Sequence, residues 1–366
     1  MRNITRIMAC VALLSASLSN SSAWARELSF DVDMQSYFDN REFSNIKSVK
    51  FRSGTDFGVR LDPKVIYNFD EVNTIHFGAE IYESFGGEST TFFDSVAPIL
   101  YYGFDNEKWS ATMGIFERSR MAIDDYSGAF FSDDYLFFDN RITGMMGRYT
   151  SGDSYVELVC DWESQPSETT RERFRLLSSA RRRWSNLYIG YNLSVTHFAG
   201  QKLAGFGNVV DNVLLNPMVG VRFNIAEVEM DGRVSYLQSL QRDRSYENEW
   251  LSPSMGEVAL EAKYRGFSID EALYFGDDLM PLYDGHTLDD GQEMEYGSLL
   301  YTGDPLFRSS GYYNRAALCY ERTFFDEKVG VKVEFVTHLN EEGFSTQQMV
   351  RLNVKIGGSL YRWGQK

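Results

Sequence analysis

The chain holds four histidines, His76, His197, His286 and His338. Imidazole is the side chain best suited to move a proton near neutral pH, so hydrolytic chemistry would begin at these positions. No serine or carboxylate stands at a spacing from them that marks a nucleophile with its base. An enzyme is therefore not expected. In the alternating segments that hold them, His76 and His338 share the polar parity. His197 falls on the apolar parity near the end of its segment, and His286 lies in a stretch rich in Gly and Asp. The pairs Asp133-Asp134 and Asp289-Asp290 offer the oxygen donors that Ca²⁺ takes. Solvated loop acids have the same composition, and neither a metal nor a cofactor is expected.

Charge forms a stronger pattern. Arg171, Arg173, Arg175, Arg181 and Arg183 share one parity around segment 172–184, opposite Phe174, Leu176, Ala180 and Trp184. In an extended strand they form one file of guanidiniums. Asp31 and Asp33, Glu157 and Asp161, Glu229 and Asp231, and Glu257 and Glu261 take the same polar parity on other segments. Opposed files of this kind either screen solutes along a pore or pair across it and fill it. The stretch 277–310 carries Met280, Leu282, Tyr283, Met294, Tyr296, Leu299, Tyr301, Leu306 and Phe307 among its acids. Leaving so many apolar groups wet is costly, which favours an infolded constriction or lid. The alternative is an outer loop whose aromatics pack on one another.

The elements that position these groups are strands. In 55–85, Phe57, Val59, Leu61, Val65 and Tyr67 alternate with Gly58, Arg60, Asp62 and Lys64. After a turn, Ile75, Phe77, Ala79 and Ile81 alternate with His76, Gly78 and Glu80. Each arm has about a dozen residues, enough to cross a bilayer when tilted. The unit recurs at 28–38, 95–105, 108–118, 141–150, 153–163, 172–184, 187–198, 213–225, 228–239, 255–265, 267–276, 311–323, 328–339 and 347–362, sixteen strands in all, within a range of 14 to 18. Seven tight turns alternate with eight longer connections, among them 119–140, 199–212, 240–254, 277–310 and 340–346. Outer-membrane barrels have this asymmetry, with short periplasmic turns and long outer loops. The expected fold is all-β, a transmembrane antiparallel barrel. Pro63, Pro98 and Pro217 fall inside strands and call for bulges or the outer rim.

Residues 1–25 read as a secretory signal peptide, with Arg2 and Arg6, an apolar run and the small-residue site Ala23-Trp24-Ala25. Residues 26–366 then form one barrel domain, with no plug domain before the first strand. Removing the two leader arginines takes the formal charge from −16 to −18, which argues against nucleic-acid binding. Only Cys160 and Cys319 remain, on segments far apart, and no disulfide framework is expected.

Tyr37-Phe38-Asp39-Asn40-Arg41-Glu42-Phe43, Phe51-Arg52-Ser53-Gly54-Thr55-Asp56-Phe57-Gly58, Leu279-Met280-Pro281-Leu282-Tyr283 and Tyr301-Thr302-Gly303-Asp304-Pro305-Leu306-Phe307-Arg308 carry a resemblance. The chain resembles porin-like outer-membrane barrel proteins of Bacteroides-type bacteria. The resemblance implies the outer membrane of a Gram-negative cell and names no substrate.

The functional expectation is a porin-like channel for passive diffusion of small hydrophilic solutes, seated in outer-membrane lipid. Arg173, Arg175, Arg181, Arg183, Asp31, Asp33, Glu157, Asp161, Glu257 and Glu261 would line the pore. Met280, Tyr283, Tyr296, Tyr301 and Phe307 would form its constriction or lid. A non-conducting barrel that binds a host molecule or partner through its outer loops is the alternative, and an outer-membrane hydrolase a third. A homo-oligomer and a lipoprotein partner are both compatible with such a barrel. The loop asymmetry makes a direct prediction. An epitope tag at Asp289 should be labelled on intact cells and a tag at Gly152 should not; labelling at Gly152 would invert the topology.

Overall fold

A computed structural model describes residues 26–43, 53–86, 93–199, 209–244, 249–287, 293–294 and 296–363. The leader, Phe51-Arg52 and Asp289-Asp290 lie outside the described residues. The strands are β1 Arg26–Glu42, β2 Gly54–Asn68, β3 Asn73–Ser84, β4 Ser95–Asp105, β5 Trp109–Glu117, β6 Arg141–Ser151, β7 Ser154–Ser164, β8 Arg173–Trp184 and β9 Leu187–Phe198. They continue as β10 Val210–Ile225, β11 Val228–Asp243, β12 Ser254–Tyr264, β13 Phe267–Gly276, β14 His286–Thr287, β15 Glu293–Met294, β16 Gly311–Phe324, β17 Val329–Asn340 and β18 Gly343–Trp363.

All but β14 and β15 join one closed antiparallel barrel of sixteen strands, in which β1 pairs with β18 from Arg26–Trp363 to Glu42–Thr346. Closure is what lipid demands, because hydrocarbon offers no partner to an open edge. The ladder skips its prolines locally. Pairing of β2 with β3 lapses at Asp62 and Pro63, and that of β10 with β11 lapses at Asn216 and Pro217. Pro98 lies beyond Leu100, where the β4–β5 ladder ends. The boundaries differ from the sequence reading at the outer rim. β10 begins at Val210, β11 runs to Asp243, and β17 and β18 meet at a tight turn after Asn340 instead of a loop over 340–346.

Alternation gives the wall two faces. Phe77, Leu158, Leu318 and Phe335 point outward and are exposed, whereas Glu334, Val336 and His338 of β17 are buried in the lumen. The outward residues form the apolar belt that meets acyl chains.

Two connections fold into the lumen. The strap 118–140 leaves β5 and is fixed at Arg118, only 1% exposed, whose guanidinium lies 3.0 Å from Asp161 and donates to Tyr135 Oη at 2.9 Å. Further along, Asp125 pairs with Arg181 at 2.5 Å, and Ser127 N donates to Asn192 at 3.3 Å. A short α-helix, α1 Asp133–Phe138, ends the strap; Asp133 pairs with Arg351 of β18, and Arg60 donates to Phe137 O at 2.8 Å. The connection 277–310 lies on the strap. Thr302 Oγ1 donates to Phe130 O at 2.8 Å, and Asp304 N to Gly128 O at 2.8 Å. Gly303 is needed here, because a Cβ would sit 2.2 Å from Ala129 O. Phe130, Phe131, Leu279, Met280, Leu306 and Phe307 bury one another in a single cluster inside the barrel.

Val333 is 43% exposed on the outward face of β17. Val333→Arg should cost assembly roughly 2–4 kcal/mol at mid-membrane, read by urea titration of the refolded barrel, while Val333→Leu should fold normally. Equal stability of the two variants would mean that this face does not meet lipid.

Candidate active site on the outer face of the barrel

Five neighbouring strands place one row of chemically active side chains on the outside of the wall. Trp162 of β7 stands opposite Phe174 of β8, Phe174 opposite His197 of β9, His197 opposite Asp211 of β10, and Asp211 opposite Arg242 of β11. Directly opposed residues in antiparallel strands lie close enough for side chains to touch. Trp162 stacks on Phe174 at 5.3 Å, and the Phe174 and His197 rings lie 5.1 Å apart. His197 Nδ1 lies 3.2 Å from Asp211 Oδ1. Arg242 donates to Asp211 Oδ2 at 3.0 Å, and Arg244 binds both carboxylate oxygens, at 2.7 and 2.9 Å. Trp250 closes the row, its ring 4.4 Å from the Arg242 guanidinium.

The row stands at the outer ends of its strands. Two residues inward, about 6.8 Å along each strand, come Leu176, Val195, Val213 and Leu240, with Leu215 below them. Leu176, Leu215 and Leu240 are exposed. The polar row therefore caps the apolar belt, at the height where headgroups of the outer leaflet meet their acyl chains. Tryptophan at both ends fits this interface.

Asp211 accepting from Nδ1–H fixes the imidazole tautomer and leaves Nε2 as the basic nitrogen, which takes no hydrogen bond among the described residues. The arrangement suits a general base for an attacking water. Two guanidiniums against one carboxylate also leave the row cationic, so an anionic headgroup is attracted to the place where the base stands.

The other histidines are held differently. His338 is fully buried between Tyr313 Oη at 2.8 Å and Gln347 Oε1 at 3.1 Å. His76 stacks on Tyr101 at 4.2 Å with Thr74 Oγ1 3.0 Å from Nε2. His286 lies in the two-residue strand β14. Among the described residues no cluster of His, Cys, Asp and Glu could hold a metal.

The charged files on the polar parity lie in the lumen, and each member has a partner. Arg173 and Arg175 meet Glu163, Arg175 also bonds Thr302, Arg181 meets Asp125, and Arg183 meets Asp153. Asp31 and Asp33 share Lys64, Glu157 meets Arg148, Asp161 meets Arg118, Glu257 meets Arg233, and Glu261 meets Lys263. In the long connection Met280, Tyr296, Tyr301 and Phe307 are buried, and the Arg308 guanidinium lies 3.7 Å from the Tyr283 ring.

Sequence reasoning missed Asp211, Arg242, Arg244 and Trp250 because it assigned 199–212 and 240–254 to loops. Carrying the apolar parity outward through Leu215, Val213 and Asp211, and through Leu240, Arg242 and Arg244, would have placed them beside His197.

The fold is shared with solved outer-membrane proteins. A loop-deletion form of OmpT from Vibrio cholerae matches with a TM-score of 0.53 at 11% identity, over 90% of this chain and 99% of that one. OpdK of Pseudomonas aeruginosa matches at 0.50 and 7% identity, over 91% and 99%. OccK5 (OpdH) of the same organism matches at 0.50 and 8%, over 92% and 99%. At such identities the likeness concerns the barrel alone, and it agrees with an outer-membrane location. No curated protein matches the chain in sequence.

A family model described as Lipid A 3'-O-deacylase-type matches residues 19–362. It replaces the porin-like family suggested by the sequence resemblance, while the outer-membrane barrel of Bacteroides type stands. It also overturns the expectation that the chain is not an enzyme, since the family is named for an enzymatic activity. That expectation rested on linear spacing alone, and linear spacing does not register pairs such as His197 and Asp211 that meet across two strands. With nearly the whole chain covered, the protein belongs to the Lipid A 3'-O-deacylase-type family.

Proposed function

We propose that the protein hydrolyses an ester-linked acyl chain of lipid A, or of a closely similar phosphorylated glycolipid, in the outer leaflet. The observation that carries this reading is the outward pair His197–Asp211, 3.2 Å apart at the top of the apolar belt. A lipid substrate already stands against this face and need not enter the barrel. Arg242 and Arg244 attract the anionic headgroup, while Leu176, Val213 and Leu240 carry the acyl chains below it.

His197 Nε2 takes a proton from water as the oxygen attacks the ester carbonyl carbon. The tetrahedral intermediate collapses with cleavage of the bond to the sugar oxygen, which recovers the proton from His197. The products are a free fatty acid and a sugar hydroxyl. Asp211 holds the imidazole and balances its charge while the proton is in transit. The arginines temper that support, because Asp211 shares both oxygens with them.

The infolded strap and long connection weigh against free diffusion through the lumen, since their cluster of buried aromatic and aliphatic side chains crosses it.

Purified barrel in lipid A-containing vesicles should release fatty acid, and His197→Ala should lower the rate by on the order of 100-fold or more. His76→Gln, altered inside the lumen, should keep the rate. Full activity in assembled His197→Ala would remove the outer row from the reaction. In planar bilayers the protein should give no steady open-channel conductance; stable ohmic steps would restore the diffusion reading.

A further inference from the structure

The infolded strap and long connection fill only part of the lumen. Below them a vestibule of about 860 Å³ runs from the roof, at Ser127, Phe131, Asp304 and Phe307, to a mouth at the inner turns near Arg265 and Thr323. Those turns are the short ones, so the vestibule opens toward the periplasm.

Its charged walls are largely self-neutralised. Arg233 pairs with Glu257 at 2.6 Å, Lys332 with Glu334 at 3.0 Å, Lys263 with Glu261 at 2.6 Å, and Arg351 with Asp133. Arg315 departs from this pattern. It lies on β16 between the inward-facing Tyr313 and Ala317, opposite Ala272 and His338, and lines the cavity close under the roof. No described residue forms a hydrogen bond or ion pair with it. Arg315 is only partly buried, so its guanidinium is left to the solvent of the cavity and is open to a solute there. Here the five donors of a rigid fork face a cavity large enough for a small solute.

The surrounding charge narrows the class. Nine acidic and seven basic side chains line the vestibule. That excess of acids repels any anion, a doubly charged one more strongly than a singly charged one, and one carboxylate is enough to satisfy the fork with two parallel bonds. We propose that the vestibule binds a small solute bearing a single carboxylate, taken from the periplasm and anchored on Arg315. The site is separated from the outer row by the barrel wall and is independent of the reaction assigned there.

Saturation-transfer NMR on the folded barrel in detergent tests this, with monomethyl succinate, neutral dimethyl succinate and methyl phosphate as probes. Monomethyl succinate should receive saturation, and the neutral diester and the phosphate should not. Arg315→Gln should weaken the signal at least tenfold, with partial recovery in Arg315→Lys, while fatty-acid release at the outer face stays unchanged. On the native protein, monomethyl succinate should protect Arg315 from phenylglyoxal, read by peptide mass spectrometry, so the test does not depend on a variant folding. Equal signals from acid and diester, preference for the phosphate, or absence of both saturation and protection would overturn the proposal.

Discussion

Everything in this molecule depends on the rule that a backbone crossing hydrocarbon must satisfy its own hydrogen bonds. A sheet meets it only by closing, and β1 meets β18 along the whole length of β1 to do so. Each strand then has one lipid face and one lumenal face, and every side chain is assigned to one or the other by parity. Prolines are absorbed where two rungs are omitted, as at Pro63 and Pro217, without opening the wall.

That division separates two kinds of polar chemistry. Inside, charges are far from bulk water and are stable only in pairs, which is how the arginine file of β8 is held by Glu163, Asp125 and Asp153. Outside, a polar group is tolerated only where the apolar belt ends. His197, Asp211 and Arg242 occupy that height on three successive strands. Their position lets them meet a lipid headgroup from outside the wall.

The lumen is asymmetric for a related reason. Long connections occur at one end only, so only that end supplies chain that can fold inward. The strap 118–140 anchors itself on lumenal charges through Arg118, Asp125 and Asp133, and the connection 277–310 packs on the strap more than on the wall. Among the described residues the inner end has only two-to-four-residue turns, too short to fill it, and the vestibule is what remains.

The sequence by itself determined the strands, their number, the face of each residue and the side of the membrane for each connection. Alternation, turn chemistry and loop length are local, and the bilayer enforces them. The aromatic content of 277–310 pointed inward on the same grounds. The strap gave less warning, because its anchors are lumenal residues from β7, β9 and β18 that no local pattern links to it. Only the tertiary structure decided the row at the outer rim. His197 and Asp211 are fourteen residues apart, and Arg242 lies a further strand away. What brings them to one height is the register of β8 through β11, and register is fixed by pairing along whole strands, not by the spacing between two residues.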